Sequence, residues 1–534
     1  MKRTGFIVLM VMMLILSACG DKKETASGDT GSDKAPSGDA GKDKDSGKMA
    51  LKWFIVASAD AQLPAKDKDF VKKAIDEKFN VDLTIDYMPF GADFQNKLNS
   101  LISSGDTPDV FYSDGVSSNQ YIKDGVAREI KDLVTPQTMP NYFKYWMTEK
   151  DLNMYQVQGK FARAPIPYAK DIYRSYYIRK DWLDKLGMKM PTNYDEMIAA
   201  MKAFTEQDPD GNGKKDTYGF TTYGGGTNMS MDFPEFVKNG LIGDFIVEGD
   251  KFIDTRTDPR VEQVLNDVKK VMAMGVVDPD WLLAKNGQQL EKAEQGKAGI
   301  ILGMGKNLAF DNNPEGLQLK TKQITGNDKA DWQPFHPFAE TGTWIETVPG
   351  NPFLLSSQSS DDKIKKSVEI LDWLAGEEGY LLTHYGQDGT DYTRDGSKIT
   401  INQEAFKKDV TDNGNFLSVY QWFTPVPDPK VLELEIEDPS ITDRDKEIVK
   451  TIEAYKIVPS IGTSVVVKEG MDLAALRKRM NELMVSVLFD DKDASKWPAH
   501  RKELMTKYGG NEIFAYYAEQ VSNASGKTVT FTGE

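Results

Sequence analysis

Residues 51–112 read LKWFIVASADAQLPAKDKDFVKKAIDEKFNVDLTIDYMPFGADFQNKLNSLISSGDTPDVFY, and the spacing of their apolar side chains decides the fold. LKWFIV (51–56) is a short, nearly continuous apolar run, the pattern of a buried strand. Phe70, Val71, Ala74, Ile75 and Phe79 then recur at helical intervals. In VDLTIDY (81–87), Val81, Leu83, Ile85 and Tyr87 share one face and Asp82, Thr84 and Asp86 the other, which predicts a half-buried strand. Phe94, Leu98, Leu101 and Ile102 mark a second helix, stopped by Gly105 and Pro108 before DVFY begins a third strand. The order βαβαβ predicts a mostly parallel sheet with helices on its faces. Ligands gather at the carboxyl ends of the strands in such sheets, so loops 57–62 and 113–118 are candidates to line a cleft, with ordinary surface turns as the alternative.

Upstream of the first strand, Lys2 and Arg3, the 11-residue apolar stretch Phe6 to Leu16, and the small residues Ser17 and Ala18 stand in the order of a secretory signal. The stretch is too short to cross a hydrocarbon core about 30 Å thick, and no later window approaches ~20 apolar residues. Leu16-Ser17-Ala18-Cys19-Gly20 resembles the lipobox of bacterial lipoproteins, whose cysteine receives a diacylglycerol and becomes the first residue after cleavage. The alternative is an ordinary signal peptide with a coincidental cysteine. Cys19 is the single cysteine in 534 residues, which excludes an intrachain disulfide and a Cys-based metal site. Residues 20–48 hold no aromatic and no large aliphatic side chain, so they cannot bury enough apolar area to offset their ordering entropy and are expected to form a flexible tether.

The formal net charge is −16, and removing residues 1–18, which carry Lys2 and Arg3 and no acid, takes it to −18. So acidic a body argues against nucleic acid and against docking on an anionic bilayer through basic patches. Roughly 485 residues follow the tether, more than one hydrophobic core ordinarily serves, so two lobes are expected.

Three stretches carry a family resemblance: SSGDTPDVFYSDG (103–115), YYIRKDWLDKLGMKMPTNYDEMIAAMKAFTEQDPDGNGKKDTYGF (176–220) and VEILDWLAGEEGYLLTHYGQDGTDY (368–392). The first holds a Gly-Asp-x-Pro-Asp-hydrophobic signature and the last a Tyr-Gly-x-x-Gly-x-x-Tyr pattern. The chain thereby resembles the extracellular solute-binding proteins of family 1, and within them the lipoprotein subgroup that serves as substrate-binding subunits of ABC importers in single-membrane bacteria. The resemblance implies a two-lobed α/β fold of the periplasmic-binding-protein kind, with a solute held in the cleft between lobes. It places lobe 1 at 49–166, lobe 2 at 167–345, a return to lobe 1 at 346–415, and a second-lobe return with C-terminal helices at 416–534, after a signal peptide (1–18) and an anchored tether (19–48). Pro165-Ile166-Pro167 favours a stiff extended crossing. Trp344 to Leu355 reads as the return, with Ser359-Ser360-Asp361-Asp362 placed to cap the next helix. The implied activity is capture of an oligosaccharide by lobe closure and delivery to separate permease subunits, by a monomer held on the extracellular face of the cell membrane through its lipid alone.

DPDGNGKKD (208–216) is the sharpest chemical motif. Asp208, Asp210, Asn212 and Asp216 occupy positions 1, 3, 5 and 9 of a calcium loop, with the backbone carbonyl of Lys214 at position 7. Gly219 stands at position 12, where a regulatory EF-hand carries a bidentate glutamate, so a structural calcium is expected instead. Binding proteins for polymeric sugars resemble this loop and hold calcium on it; some carry an acid where this chain has Thr217. The alternative is an Asx-rich turn without metal.

Catalytic patterns are sparse. His336, His384 and His500 are far apart, and there is no His-Glu-x-x-His, no Gly-x-Ser-x-Gly and no phosphate-binding Gly-x-x-x-x-Gly-Lys-Ser/Thr. A secreted glycoside hydrolase remains the enzymatic alternative, since it needs only two carboxylates about 5–9 Å apart. An inert envelope lipoprotein is a third reading. Sugar rings stack on aromatic faces, and position nominates Tyr112, Asp114, Trp281, Trp344 and Trp422 as solute contacts, with plain core packing the competing reading for each. Trp53, Trp182 and Trp373 lie on apolar faces and are assigned to the core.

Overall fold

The apolar run at 51–56 becomes the inner strand of a four-stranded sheet in the computed structural model, which describes residues 47–533 apart from 58–60, 90, 114, 169–173, 339, 343, 346–352 and 427–428. Cys19, the signal segment and almost all of the tether lie outside the described residues. Strand β1 (Met49–Val56) runs parallel to β2 (Val81–Met88) on one side and to β3 (Val110–Tyr112) on the other; β11 (Phe353–Leu355) closes the sheet antiparallel to β3. Covered on both faces, β1 buries Leu51, Trp53, Phe54, Ile55 and Val56, whereas edge strand β2 buries Val81, Leu83 and Ile85 and leaves Thr84 and Asp86 exposed.

The connecting helices begin and end where the sequence places their signals. Helix Phe70–Lys78 is capped by Asp69, whose Oδ1 accepts from the Lys72 amide at 2.9 Å while its Oδ2 accepts from the Tyr420 hydroxyl at 2.7 Å. Helix Ala92–Ser104 stops at Gly105, where φ is 78°, a left-handed turn that glycine adopts without a Cβ clash. Asp109, the last acid of the Gly-Asp-x-Pro-Asp signature, is a buried tie: it accepts from the Lys52 amide at 2.8 Å, from Ser359 Oγ at 2.6 Å and from Lys363 Nζ at 3.1 Å. Ser360 caps the helix Asp361–Leu374, as its sequence neighbourhood predicts.

A second sheet has the order β5-β8-β4-β9. Strand β4 (Arg174–Arg179) lies antiparallel between β8 (Ala298–Met304) and β9 (Trp332–Phe335), and β5 (Tyr218–Phe220) runs parallel to β8. Alternation along its strands sends Tyr176, Ile178 and Ile300 to one face and Tyr177, Ile301 and Trp332 to the other, where helix Asp443–Glu453 covers them with Ile448 and Ile452. A hairpin of β6 (Phe245–Glu248) and β7 (Lys251–Asp254) and a small sheet of β12 (Tyr392–Asp395), β13 (Lys398–Ile401) and β14 (Glu435–Glu437) complete the strands away from the crossing. At the crossing, β10 (Trp344–Ile345) pairs parallel with β15 (Ile457–Val458). Gly342 permits that approach, since a Cβ there would stand 2.8 Å from the Lys456 carbonyl oxygen.

The molecule is thus a two-lobed α/β protein with a core behind each large sheet. The first core draws on residues between Leu51 and Ile166 and between Phe353 and Leu434, the second mainly on residues between Tyr176 and Phe338 and between Leu476 and Val529. One correction to the expected division follows. The resemblance places 416–534 in the second lobe, yet Phe416, Leu417, Tyr420, Phe423 and Leu434 pack in the first core, held by contacts such as Phe423 against Trp53 at 4.8 Å and Tyr420 on Asp69.

Candidate functional site

Strand direction fixes where a solute can be held. In the first sheet, β1, β2 and β3 end at Val56, Met88 and Tyr112, and β11 begins beside Tyr112 at Phe353. In the second, β5, β8 and β9 end at Phe220, Met304 and Phe335, and β4 begins beside Met304 at Arg174. The chain leaves the first sheet past Ala164, whose amide bonds to the Phe353 carbonyl at 2.7 Å, and enters the second at Arg174; it returns from β9 through β10 to Phe353. Both connections therefore join carboxyl edge to carboxyl edge, the edges at which open α/β sheets bind ligands.

On the second-lobe edge, Thr221 and Thr222 follow β5 directly. Thr222 Oγ1 and Ser230 Oγ are 2.6 Å apart, and Thr222 Oγ1 also donates to Asp232 Oδ2 at 3.4 Å. Burial holds the Asp232 carboxyl above its usual range, against the opposing charge of Arg174 and the Thr222 hydrogen bond. Burial raises the Tyr223 phenol, and the Asp232 charge adds to the rise. Met304, 62 % exposed, adds an apolar surface at the end of β8. His336 follows β9; its ring lies 5.2 Å from Tyr455, and burial lowers its pKa to about 4, so it is a neutral, packed imidazole.

The nominated aromatics divide. Tyr112 is 2 % exposed and packs edge-on against Phe94, Phe353 and Trp422; Trp281 is 1 % exposed and packs against Phe233 at 4.9 Å and Phe489 at 6.3 Å. Core packing describes both, and neither ring offers a free face to a solute. Trp422 is half-buried beside Tyr112 and, of the nominated rings whose side chains are described, is the one that keeps accessible surface. Trp344 contributes backbone to β10 opposite Ile457, its side chain being outside what is described, and Asp114 lies outside the described residues. Trp53 and Trp182 are buried in the cores, as expected. Arg174, Thr222, Ser230 and Asp232 were missed by the sequence reading; the available signal was the loop TTYGGG directly after a strand.

The acidic loop folds around its own side chains. Asp208 Oδ1 accepts from the Gly211 and Asn212 amides at 3.0 Å each, and its Oδ2 accepts from the Gly213 amide at 2.9 Å. The Asn212 side-chain amide donates to Asp210 Oδ2 at 2.8 Å and to Asp216 Oδ1 at 3.1 Å, and Lys297 Nζ meets Asp216 Oδ2 at 2.6 Å. The hydrogen bond from Asp210 and the Gly213 amide hold Asp208 below the usual carboxylate range, whereas burial and the Asp208 carboxylate hold Asp210 above it. Among the described residues no three histidine, cysteine, aspartate or glutamate side chains are drawn together as a metal cluster. The donor types suit a hard cation, three carboxyls and an amide lying within nine residues of one loop, but in this structure N–H groups occupy the centre between them.

Residues 59–380 match the profile of the bacterial extracellular solute-binding protein family. The polygalacturonan/rhamnogalacturonan-binding protein YtcQ of Bacillus subtilis is 25 % identical over 428 residues, covering 76 % of this chain and 77 % of that protein. Among solved structures, a human-milk-oligosaccharide (HMO) binding solute-binding protein associated with an ABC transporter of Bifidobacterium longum infantis superposes with a TM-score of 0.65 at 18 % identity, over 90 % of this chain and all (100 %) of that one. An EF-hand mutant of the ABC-transporter substrate-binding protein FusA of Streptococcus pneumoniae, in complex with fructo-nystose, superposes with a TM-score of 0.55 at 18 % identity, over 90 % of this chain and 99 % of that one.

Proposed function

The chain belongs to the bacterial extracellular solute-binding proteins, and on that premise we propose that it captures an oligosaccharide between its lobes and delivers it, untransformed, to the permease subunits of an ABC importer. The observation that carries the reading is that the crossing segments link the carboxyl edges of the two sheets, with the Thr222, Ser230 and Asp232 oxygens on one of them. Hydroxyls of a sugar pair with such oxygens, and the apolar face of a sugar ring suits the half-buried Trp422 and the exposed Met304. Closure of one lobe on the other removes water from these contacts and strengthens them. The names of the relatives, which refer to pectic polymers, milk oligosaccharides and a fructo-oligosaccharide, support a carbohydrate over a peptide.

Calcium is assigned to the acidic loop, with Asp208, Asp210, Asn212, Asp216 and the Lys214 carbonyl as its ligands; the FusA EF-hand supports this. The ion would fix the loop that joins helix Tyr194–Glu206 to β5, and through it the position of Thr221 and Thr222. Cys19 is assigned the lipid, which keeps a monomeric receptor on the outer face of the cell membrane, close to its permease. Lobe 1 comprises 49–166 and the return from 346 through the small sheet ending at Glu437, lobe 2 the remainder beyond the tether.

A thermal-shift screen of the purified protein against oligosaccharides tests the proposal, because a ligand that binds the folded state raises the melting temperature by mass action. At least one class of oligosaccharide is expected to raise it while remaining chemically intact. New reducing ends on any of them would move the protein to the hydrolases.

A further inference from the structure

Arg163 is 1 % exposed, and its guanidinium meets only neutral oxygens. Nη1 donates to Ser464 Oγ at 2.9 Å and, at 3.5 Å, to the Met154 carbonyl; Nη2 donates to Asn119 Oδ1 at 3.3 Å; Nε is buried without an acceptor. Arg179, also buried, pairs with Asp181 at 2.6 Å, and partly buried Arg477 pairs with Asp254 at 2.5 Å. Among the described residues the charged or ionisable neighbours of Arg163 are the phenols of Tyr155 and Tyr168, with no carboxylate, and burial lowers its pKa to about 10. The group is still a cation at neutral pH, so among the described residues the first lobe holds a desolvated charge without a counter-charge, an arrangement of high cost that an arriving anion relieves.

Its place in the fold is the hinge side of the site. Arg163 pairs with Leu354 of β11, so it extends the first sheet by one position, and the next residue bonds to Phe353 at the carboxyl edge. Five residues on, half-buried Tyr168 leads into the connection to the second sheet. Asn119 comes from the helix Gly115–Lys123 that leaves the carboxyl edge of β3, and Ser464 from the segment beyond β15. The Nε/Nη2 edge of the guanidinium, which matches a carboxylate through two parallel hydrogen bonds, carries one long contact to a neutral amide.

We propose that Arg163 receives a carboxylate carried by the solute, so that the protein captures acidic oligosaccharides, those bearing uronate groups, in preference to neutral ones. This rests on the capture function proposed above. The carboxylate approaches from the crossing, parts Ser464 and Asn119 from the guanidinium, and takes the Nε/Nη2 edge.

The test compares a galacturonic acid trimer with a galactose trimer of the same length, by calorimetric titration of the purified protein. The acidic trimer is expected to bind about ten- to a hundredfold more tightly, the weight of a charge-assisted bond. Arg163→Met, which keeps the bulk of the stem, is expected to erase that preference with the neutral trimer unaffected. Equal binding of the two trimers by the parent protein, which requires no variant to fold, overturns the anion assignment and leaves oligosaccharide capture standing; so does an Arg163→Met protein that keeps the preference. Sodium acetate is the control for a free anion: stabilisation by acetate equal to that by the acidic trimer overturns the solute as the source. If neither trimer binds, the uronate assignment falls, and if the wider oligosaccharide screen is also silent, the capture reading falls with it.

Discussion

Asp232 is an acid held at a sheet edge by a single long hydrogen bond from Thr222, which leaves acceptor capacity for a solute. Asp232→Asn keeps the shape and removes the charge, and is expected to weaken oligosaccharide binding about tenfold with the melting temperature unchanged, the weight of one hydrogen bond to a charged group; a variant that titrates like the parent removes Asp232 from the site. Asp109 does opposite work, since its carboxylate ties the start of β1 to the residues around Ser359. Asp109→Ala is expected to lower the unfolding free energy by about 3 kcal/mol in urea titrations without altering solute affinity in the folded protein. The signature that contains Asp109 was legible because its proline and glycine punctuate the chain locally. The Thr222, Ser230 and Asp232 cluster was not, because a turn of the backbone brings those oxygens together and no spacing announces it. Trp281 shows the converse failure: its position nominates it as a solute contact, yet Phe489, 208 positions away in sequence, helps to bury the ring.

Two elements beside the site carry testable electrostatics. In the acidic loop, calcium is expected to replace the N–H groups that the Asp208 and Asp210 carboxyls now accept from. Calcium at a hundredfold excess over its Kd is expected to add about 3 kcal/mol of stability to the parent and nothing to Asp210→Ala, with the gain diminishing as the carboxylates protonate at low pH. A parent melting curve indifferent to both calcium and chelator would refute the ion. The loop's ligand types were legible from alternation alone; the Lys297 contact on Asp216 was not, since it arrives from β8's approach 81 residues later. The second element is the short helix Pro234–Lys238 that follows Asp232. Its Glu235 is 1 % exposed, accepts from the Tyr194 hydroxyl at 2.6 Å and has a second oxygen with no partner. Burial raises its pKa from 4.5 to about 7 despite that hydrogen bond. Between those values the folded state binds more protons than the unfolded chain, so the stability is fully present below pH 4.5 and is lost as pH rises through about 7. The loss amounts to about 3 kcal/mol over that window. Melting temperatures between pH 5 and 8.5 are expected to fall in the parent and to stay flatter in Glu235→Gln; parallel curves would remove Glu235 as the cause.

At the scale of the molecule, the first sheet was legible because βαβαβ is written in local periodicity, and 485 residues foretold a second core. The division of the C-terminal third was not: Phe416 to Leu434 carry no local mark of the core they join, and their assignment rests on contacts with Asp69 and Trp53 more than 350 positions earlier in the sequence. The third packing layer, where helix Asp443–Glu453 covers the back of the second sheet, is likewise a product of long-range packing. What the two sheets do together is present carboxyl edges joined by crossing segments, and the proposed capture of an untransformed sugar builds on that arrangement. The most direct test titrates the purified, calcium-loaded protein calorimetrically with the oligosaccharide class selected by thermal shift and then recovers the sugar. Saturable binding of one sugar per chain, with the sugar returned at its original length, is the predicted result; heat without saturation, or a shortened sugar with new reducing ends, would contradict it.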